Sequence, residues 1–154
     1  MGKRRQAREC ALQILFQLEF HSGDPRDVLK SYWADRKASQ EAKEYGTWIV
    51  ERTLEHGATI DRQIQSVSKN WRLARMAVID RNILRIAVAE LLYEPTLVPA
   101  IVMNEAIEIA KRYSGEGSAV FVNGVLDAVV RQLAATAPRP EAKKAREGEH
   151  EPQE

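Results

Sequence analysis

Apolar residues along this chain recur at intervals of three and four, the repeat of an α-helix that buries one face. No stretch alternates apolar and polar residues for long enough to form a sheet. Proline, glycine and capping residues divide the helical pattern into separate segments. The sequence therefore predicts an all-α protein, a compact bundle of about seven helices.

Residues that start and stop helices place the first elements. We predict the first helix over Arg4 to Phe20. Asp24 followed by Pro25 indicates the start of the second helix, because aspartate caps free amides and proline fits the first turn. Ser39 is a suitable cap for the third helix, and Gly57 is a suitable left-handed stop at its end.

The second half of the chain has a stronger pattern. The segment 69–74 has no clear assignment, but from Met76 to Tyr93 apolar residues nearly encircle the helix, which predicts the buried centre of the bundle. An amphipathic helix is predicted to follow over Ala100 to Tyr113. Ser118 is predicted to cap a seventh helix that ends near residue 135. Gly124 inside it is disfavoured by ~1 kcal/mol relative to alanine, which indicates close approach of another helix or of RNA, and helix packing is the favoured alternative.

Length and charge suggest one folded domain with an uneven charge distribution. The 154 residues fit one domain, which we place at 1–136, and residues 137–154 carry no large apolar side chain, which predicts a disordered charged tail. The net charge of +1 does not by itself indicate a nucleic-acid-binding protein. Residues 1–8, however, hold no acidic residue and four cations: Lys3, Arg4, Arg5 and Arg8.

Several classes of site are disfavoured by composition. The single cysteine, Cys10, cannot form an internal disulfide, which fits a reducing compartment. His21, His56 and His150 lack the spacing of metal ligands. No apolar run approaches the ~18 residues that a membrane span needs. We do not expect Lys3 to Phe20 to be a secretory signal, because polar residues interrupt its apolar run and no small-residue cleavage site follows. We expect a cytoplasmic protein that uses no metal or cofactor and does not enter a membrane.

Three motifs occur in a distinctive order: R-R-Q-A-R-E-C-A from Arg4, I-L-R-I-A-V-A-E-L from Ile83, and N-E-A-I-E-I-A-K-R-Y with S-x-x-F-V-N-G-V-L-D between Asn104 and Asp127. Together they resemble the NusB family of bacterial transcription antitermination proteins, over roughly residues 3–135. The resemblance implies two packed helical sub-bundles and a non-enzymatic factor. It implies binding of single-stranded boxA-type leader RNA jointly with NusE, a ribosomal protein, within the RNA polymerase antitermination complex that supports processive rRNA transcription.

The resemblance also implies which residues contact RNA. Cations at a helix entrance can neutralise phosphates, and arginine can stack on exposed bases, although a solvated terminus looks the same in sequence. Phe121 lies at the border of an apolar helix face, so it could stack on RNA or pack in the core. The hydroxyl of Ser118 could cap its helix or bind phosphate. The expected RNA-binding residues are Lys3, Arg4, Arg5, Arg8, Ser118, Phe121 and Asn123.

A separate set is expected to bind the protein partner. Phe16 and Phe20 lie off the buried stripe of the first helix, and aromatic residues in that setting mark a binding surface or pack under the second helix. Asp80 matches an acidic partner-contact position of the family. Arg81 and Arg85 share the polar stripe of the same helix and are assigned to the same surface.

Two other functions compete with RNA binding. The chain could be a homodimeric interaction module whose basic start is incidental. A methyltransferase is disfavoured because the sequence has no glycine-rich nucleotide-binding turn after a strand, and Cys10 is expected to pack in the core. Glu90 lies among apolar residues on the helical wheel, and we expect it to form a structural ion pair rather than to catalyse a reaction.

Overall fold

A computed structural model describes residues 2–136, and within that range the chain is helical, with seven α-helices and one short 3-10 turn. The prediction of an all-α bundle of about seven helices is confirmed. The predicted disordered tail, 137–154, lies outside the described residues. The helices are α1 (Lys3–Glu19), α2 (Pro25–Ala34), α3 (Gln40–Glu55), α4 (Gly57–Val67), α5 (Val78–Tyr93), α6 (Pro99–Tyr113) and α7 (Glu116–Thr136), and the 3-10 turn spans Leu73–Arg75.

The central element is α5, which packs against α1, α3, α4, α6 and α7. Helices α1 and α3 lie against each other and α2 lies on α1, whereas α6 and α7 form a second closely packed pair. Leu84 and Val88 of α5 are fully buried between these groups. The predicted buried centre is therefore confirmed, and it positions residues of α1 against residues of α5 and α6.

Two predicted helix caps are confirmed. The carboxylate of Asp24 accepts a hydrogen bond of 2.9 Å from the backbone amide of Arg26, with Pro25 in the first turn of α2. The hydroxyl of Ser39 accepts one of 3.1 Å from the amide of Ala42 at the start of α3. Both side chains satisfy amides that have no partner inside the helix.

The predicted roles of Gly57 and Ser118 are wrong. Gly57 begins α4, and the chain turns at His56 with φ −110° and ψ 26°, so no left-handed residue is needed there. Among the described residues only Gly115 has a positive φ, at 108°. Because Gly115 makes the sharp turn, α7 begins at Glu116, two residues before Ser118, and Ser118 lies inside the first turn instead of capping it.

Helix α7 differs from expectation at Gly124. A Cβ placed on this glycine would meet no atom within 4 Å, so the predicted close approach of another helix is wrong. The opposite side of α7 supplies Val122, Leu126 and Val129 to the core. By length and composition α7 could cross a bilayer, but its packing on α4, α5 and α6 accounts for this apolar content. The side bearing Gly124 is left as an open surface.

Candidate nucleic-acid interface

The basic start of α1 is partly neutralised by the protein itself. The Lys3 ammonium lies 3.5 Å from the carboxylate of Glu41, with both side chains largely exposed. The guanidinium of Arg5 donates from Nε to Glu105 at 2.9 Å and also donates from Nη2 to the same oxygen. This hydrogen bond is the main reason that the pKa of Arg5 is raised. An RNA phosphate must therefore compete with a carboxylate at both cations.

Arg4 is held in a different way. Its guanidinium carbon lies 3.8 Å from the centre of the Tyr45 ring, a cation–π contact. Tyr45 in turn stacks on Trp48 of the same helix, with ring centres 5.6 Å apart. Arg4 is exposed and forms no ion pair with any residue from 2 to 136. Its N–H groups are consequently available to a phosphate or a base.

Arg8 is buried, with 3% of its surface exposed. Its Nε and Nη2 atoms each lie 2.8 Å from an oxygen of Glu90, and the hydroxyl of Tyr45 donates to the same carboxylate. Burial alone would lower the pKa of Arg8, but the hydrogen bonds and charge of Glu90 raise it overall. The expected structural ion pair of Glu90 is confirmed. The prediction that Arg8 contacts RNA is wrong for this structure, because its guanidinium is enclosed in the core.

An aromatic pair lies at the start of α7. The rings of Phe121 and Trp71 meet edge to face, with centres 6.2 Å apart and planes at 76°. Phe121 is half-buried against the core, and its stacking on RNA stays a prediction, whereas Trp71 is 58% exposed. Sequence reasoning did not select Trp71. Its signal was a tryptophan among cations in a segment without helical pattern, K-N-W-R.

A hollow of about 200 Å³ lies beside this pair and is closed on one side by Asp80. Asp80 is 9% exposed, and its Oδ1 atom accepts no hydrogen bond within residues 2–136. A buried oxygen without a donor is costly, so a donor from a ligand or partner would stabilise it. The predicted RNA residue Phe121 and the predicted partner residue Asp80 therefore line one hollow.

Ser118 and Asn123 share α7 with Phe121. Ser118 is partly buried in the first turn and Asn123 is exposed. Helix α7 thus carries three of the expected RNA-binding residues, although Asn123 lies on a different face of the helix from Phe121, two residues earlier. The cations of α1 contact α3, α5 and α6 instead, so the expected RNA-binding residues form two groups.

The expected partner surface on α1 is exposed. Phe16 and Phe20 meet edge to face with centres 5.3 Å apart, and they are 42% and 73% exposed. The alternative that they pack under α2 is therefore wrong. Phe16 also borders a hollow of about 310 Å³ that Ile79 and Tyr113 help to line.

Arg81 and Arg85 have internal partners. Both contact the carboxylate of Glu19, at 3.1 and 3.3 Å. Arg85 also forms a bidentate ion pair with Asp61, with Nε 2.9 Å from Oδ1 and Nη2 3.1 Å from Oδ2. These bonds tie α1 and α4 to α5. The predicted partner contacts of both arginines are not supported, because each guanidinium is engaged within the protein.

Comparisons of this sequence with a family model and with known proteins all point to the same family. A sequence model of the NusB family matches residues 5–131. The transcription antitermination protein NusB of Sorangium cellulosum is 41% identical over 133 residues, covering 86% of this chain and 95% of the relative. The protein of the same name from Desulfitobacterium hafniense is 45% identical over 133 residues, covering 84% and 89%.

Solved structures show the same fold. A structure of NusB from T. maritima superposes with a TM-score of 0.77 and 38% identity, covering 83% of this chain and 90% of the other. A structure of the antitermination factors NusB and NusE in complex with dsRNA matches with a TM-score of 0.76 and 28% identity, covering 86% and 98%.

Proposed function

Since this chain belongs to the NusB family of transcription antitermination proteins, we propose that it binds boxA-type leader RNA jointly with a NusE-like ribosomal protein. In this role it joins the RNA polymerase antitermination complex and supports processive rRNA transcription. It acts in the cytoplasm as an adaptor without enzymatic activity.

The observation that carries this proposal is the pair Trp71 and Phe121. Trp71 is 58% exposed in the turn between α4 and α5, and Phe121 is half-buried in the second turn of α7. Aromatic rings bind single-stranded RNA by stacking on its bases, and each stacked base contributes ~1–3 kcal/mol.

Two groups of residues share the RNA in this proposal. Phe121 and Trp71 receive bases, while Ser118 and Asn123 supply polar contacts on the same helix. Arg4 contacts RNA directly because no carboxylate holds it. The remaining two cations, Lys3 and Arg5, contribute after release from Glu41 and Glu105.

The protein partner is assigned to two places: the exposed surface formed by Phe16 and Phe20, and Asp80 in the hollow beside Phe121. The two phenylalanines supply exposed apolar area, and the buried unpaired oxygen of Asp80 supplies an acceptor for a donor of the partner. The structure of NusB and NusE in complex with dsRNA, similar over 86% of this chain, supports a joint complex. The same apolar surface could instead receive a second copy of this chain.

The test is binding of a boxA-type single-stranded RNA and a scrambled RNA, with and without the NusE-like protein, at two salt concentrations. We expect preference for the boxA sequence, tighter binding with the partner present, and weaker binding at higher salt. Sedimentation of the free protein is measured in parallel. Absence of RNA binding in every condition, together with a stable dimer, would replace this proposal by the homodimeric interaction module.

A further inference from the structure

The turn between α4 and α5 carries three cations in seven residues: Lys69, Arg72 and Arg75. All three are exposed, and none forms an ion pair within the part of the chain that the structure describes. In contrast, Lys3, Arg5 and Arg8 of α1 each have a carboxylate partner. Unlike those three cations of α1, the cations of this turn are not neutralised by a carboxylate within residues 2–136, and they lie beside the exposed Trp71.

The turn is held in place by one side chain. The amide nitrogen of Gln65 donates to the carbonyl oxygens of Ser68 and Trp71, at 3.0 and 2.9 Å. The amide oxygen of Gln65 accepts from the backbone N–H of Leu73, at 2.9 Å. Three hydrogen bonds from one residue fix the backbone on both sides of Trp71 and Arg72. A pre-ordered turn loses less conformational entropy when it binds a ligand.

A groove of about 720 Å³ runs between α4, the 3-10 turn and α5, and Lys69 and Arg72 line it. Arg85 also faces this groove, but Asp61 neutralises it through bonds of 2.9 and 3.1 Å. After this pairing, the positive charge in the groove that has no carboxylate partner among the described residues is that of Lys69 and Arg72. The groove therefore favours an extended anion.

Trp71 links this groove to the hollow beside Phe121. Arg72 lines the groove on one side of the turn, and Arg75 lines the hollow on the other side. An aromatic ring between separated cations suits a single-stranded nucleic acid, whose bases stack while its phosphates pair with the cations.

We propose that the groove lined by Lys69 and Arg72 binds the phosphates of the RNA strand whose bases contact Trp71 and Phe121. The proposal rests on RNA being the ligand of this protein and extends the interface beyond the family motifs. The groove contacts phosphates only, so its contribution does not depend on the base sequence.

The experiment compares the full chain with Lys69→Ala/Arg72→Ala on boxA-type and scrambled single-stranded RNAs over a range of salt concentrations. We expect several-fold weaker binding to both RNAs, by the same factor. The slope of log K against log salt should decrease in magnitude by about 0.7 for each cation removed. The charge-conserving variant Lys69→Arg/Arg72→Lys should keep the slope of the original chain.

A matched control removes two exposed lysines that do not line the groove, in the variant Lys30→Ala/Lys37→Ala. It has the same net charge as the groove variant and should keep both affinity and slope. Circular dichroism and thermal melting establish that all variants are folded.

The outcomes separate the two proposals. Equal affinity and slope in the groove variant and the original chain would overturn the groove assignment, whatever the preference for boxA. A second outcome is that the groove variant loses affinity for both RNAs while the original chain shows no preference for boxA. This outcome would support the groove and overturn the boxA function. An original chain that binds neither RNA, alone or with the partner, overturns both.

Discussion

Arg8 and Glu90, which are 82 residues apart in sequence, form a buried ion pair that joins α1 to α5 with two N–O distances of 2.8 Å. The hydroxyl of Tyr45 donates to the same carboxylate and adds α3 to the connection. A residue in a basic motif that looks like an RNA contact thus holds three helices together. This arrangement leaves Lys3, Arg4 and Arg5 as the cations of α1 that RNA can reach.

Removal of one partner of this pair should destabilise the fold. In Arg8→Met the carboxylate of Glu90 stays buried without its cation, and we expect the free energy of unfolding to fall by about 3–5 kcal/mol. The double variant Arg8→Met/Glu90→Leu removes both charges and should recover part of the loss. Urea denaturation of the three proteins measures these differences. If Arg8→Met weakened RNA binding at unchanged stability, Arg8 would return to the RNA-binding set.

The stability of the protein should depend on Tyr45 at high pH. Burial, followed by the charge of Glu90, raises the pKa of Tyr45 well above its usual range. Above about pH 10 the unfolded chain releases this proton before the folded protein does. The free energy of unfolding should therefore fall as the pH rises above about 10, by up to about 1.4 kcal/mol per pH unit from this residue.

The variant Tyr45→Phe isolates this effect. It loses the hydrogen bond to Glu90 and should be less stable at neutral pH, but its stability should fall less steeply above about pH 10. The slopes are compared by urea denaturation at several pH values, because the other tyrosines are present in both proteins. Equal slopes would show that ionisation of Tyr45 is not coupled to unfolding.

Release of Arg5 should strengthen RNA binding. Glu105 holds the guanidinium of Arg5, and Glu105→Gln removes the negative charge that competes with phosphate. We expect severalfold tighter binding at low salt and a smaller gain at high salt, where screening weakens the phosphate contact. The matched control is Glu108→Gln on the same helix, whose carboxylate contacts Lys111 at 3.6 Å. A gain of the same size in both variants would indicate net charge and not the release of Arg5.

Replacement of Trp71 should weaken RNA binding through loss of stacking. Trp71 is 58% exposed and contacts Phe121 only by an edge, so Trp71→Ala should leave the fold intact. We expect a loss of ~1–3 kcal/mol in binding free energy, with most of it restored in Trp71→Phe. The salt dependence should stay the same, because no charge is removed. A binding assay on both variants checks this, and full affinity in Trp71→Ala would remove Trp71 from the interface.

Replacement of Phe16 should weaken partner binding selectively. Its ring is 42% exposed beside Phe20, so Phe16→Ser removes apolar contact area at little cost to the core. We expect loss of affinity for the NusE-like protein, measured by calorimetry, with unchanged RNA binding by the free chain. Val98→Ser is the control, since Val98 is 55% exposed at the start of α6 and does not line the hollow beside Phe16. Unchanged affinity in Phe16→Ser would move the partner to another surface.

Local interactions made much of the fold predictable from sequence. Asp24 and Ser39 cap helices by bonding amides two and three residues ahead, and such contacts depend only on neighbours in sequence. The central position of α5 followed from apolar residues around its whole circumference. The sequence failed at Gly57 and Ser118, because several residues near each turn could end or begin a helix and packing selected between them.

The sequence by itself determined that the chain is all-α, the order of its helices, the cluster of cations at the start of α1 and the presence of Phe121 early in α7. Only the tertiary structure decided which of these side chains are free. Arg4, Arg5 and Arg8 are the same residue type within one and a half helical turns. Yet the Tyr45 ring holds Arg4, the largely buried carboxylate of Glu105 holds Arg5, and the core encloses Arg8. Their partners lie on α3, α5 and α6, and long-range packing of helices brings them together. The contact between Trp71 and Phe121 was decided in the same way, because packing of α7 brings together two residues that are far apart in sequence.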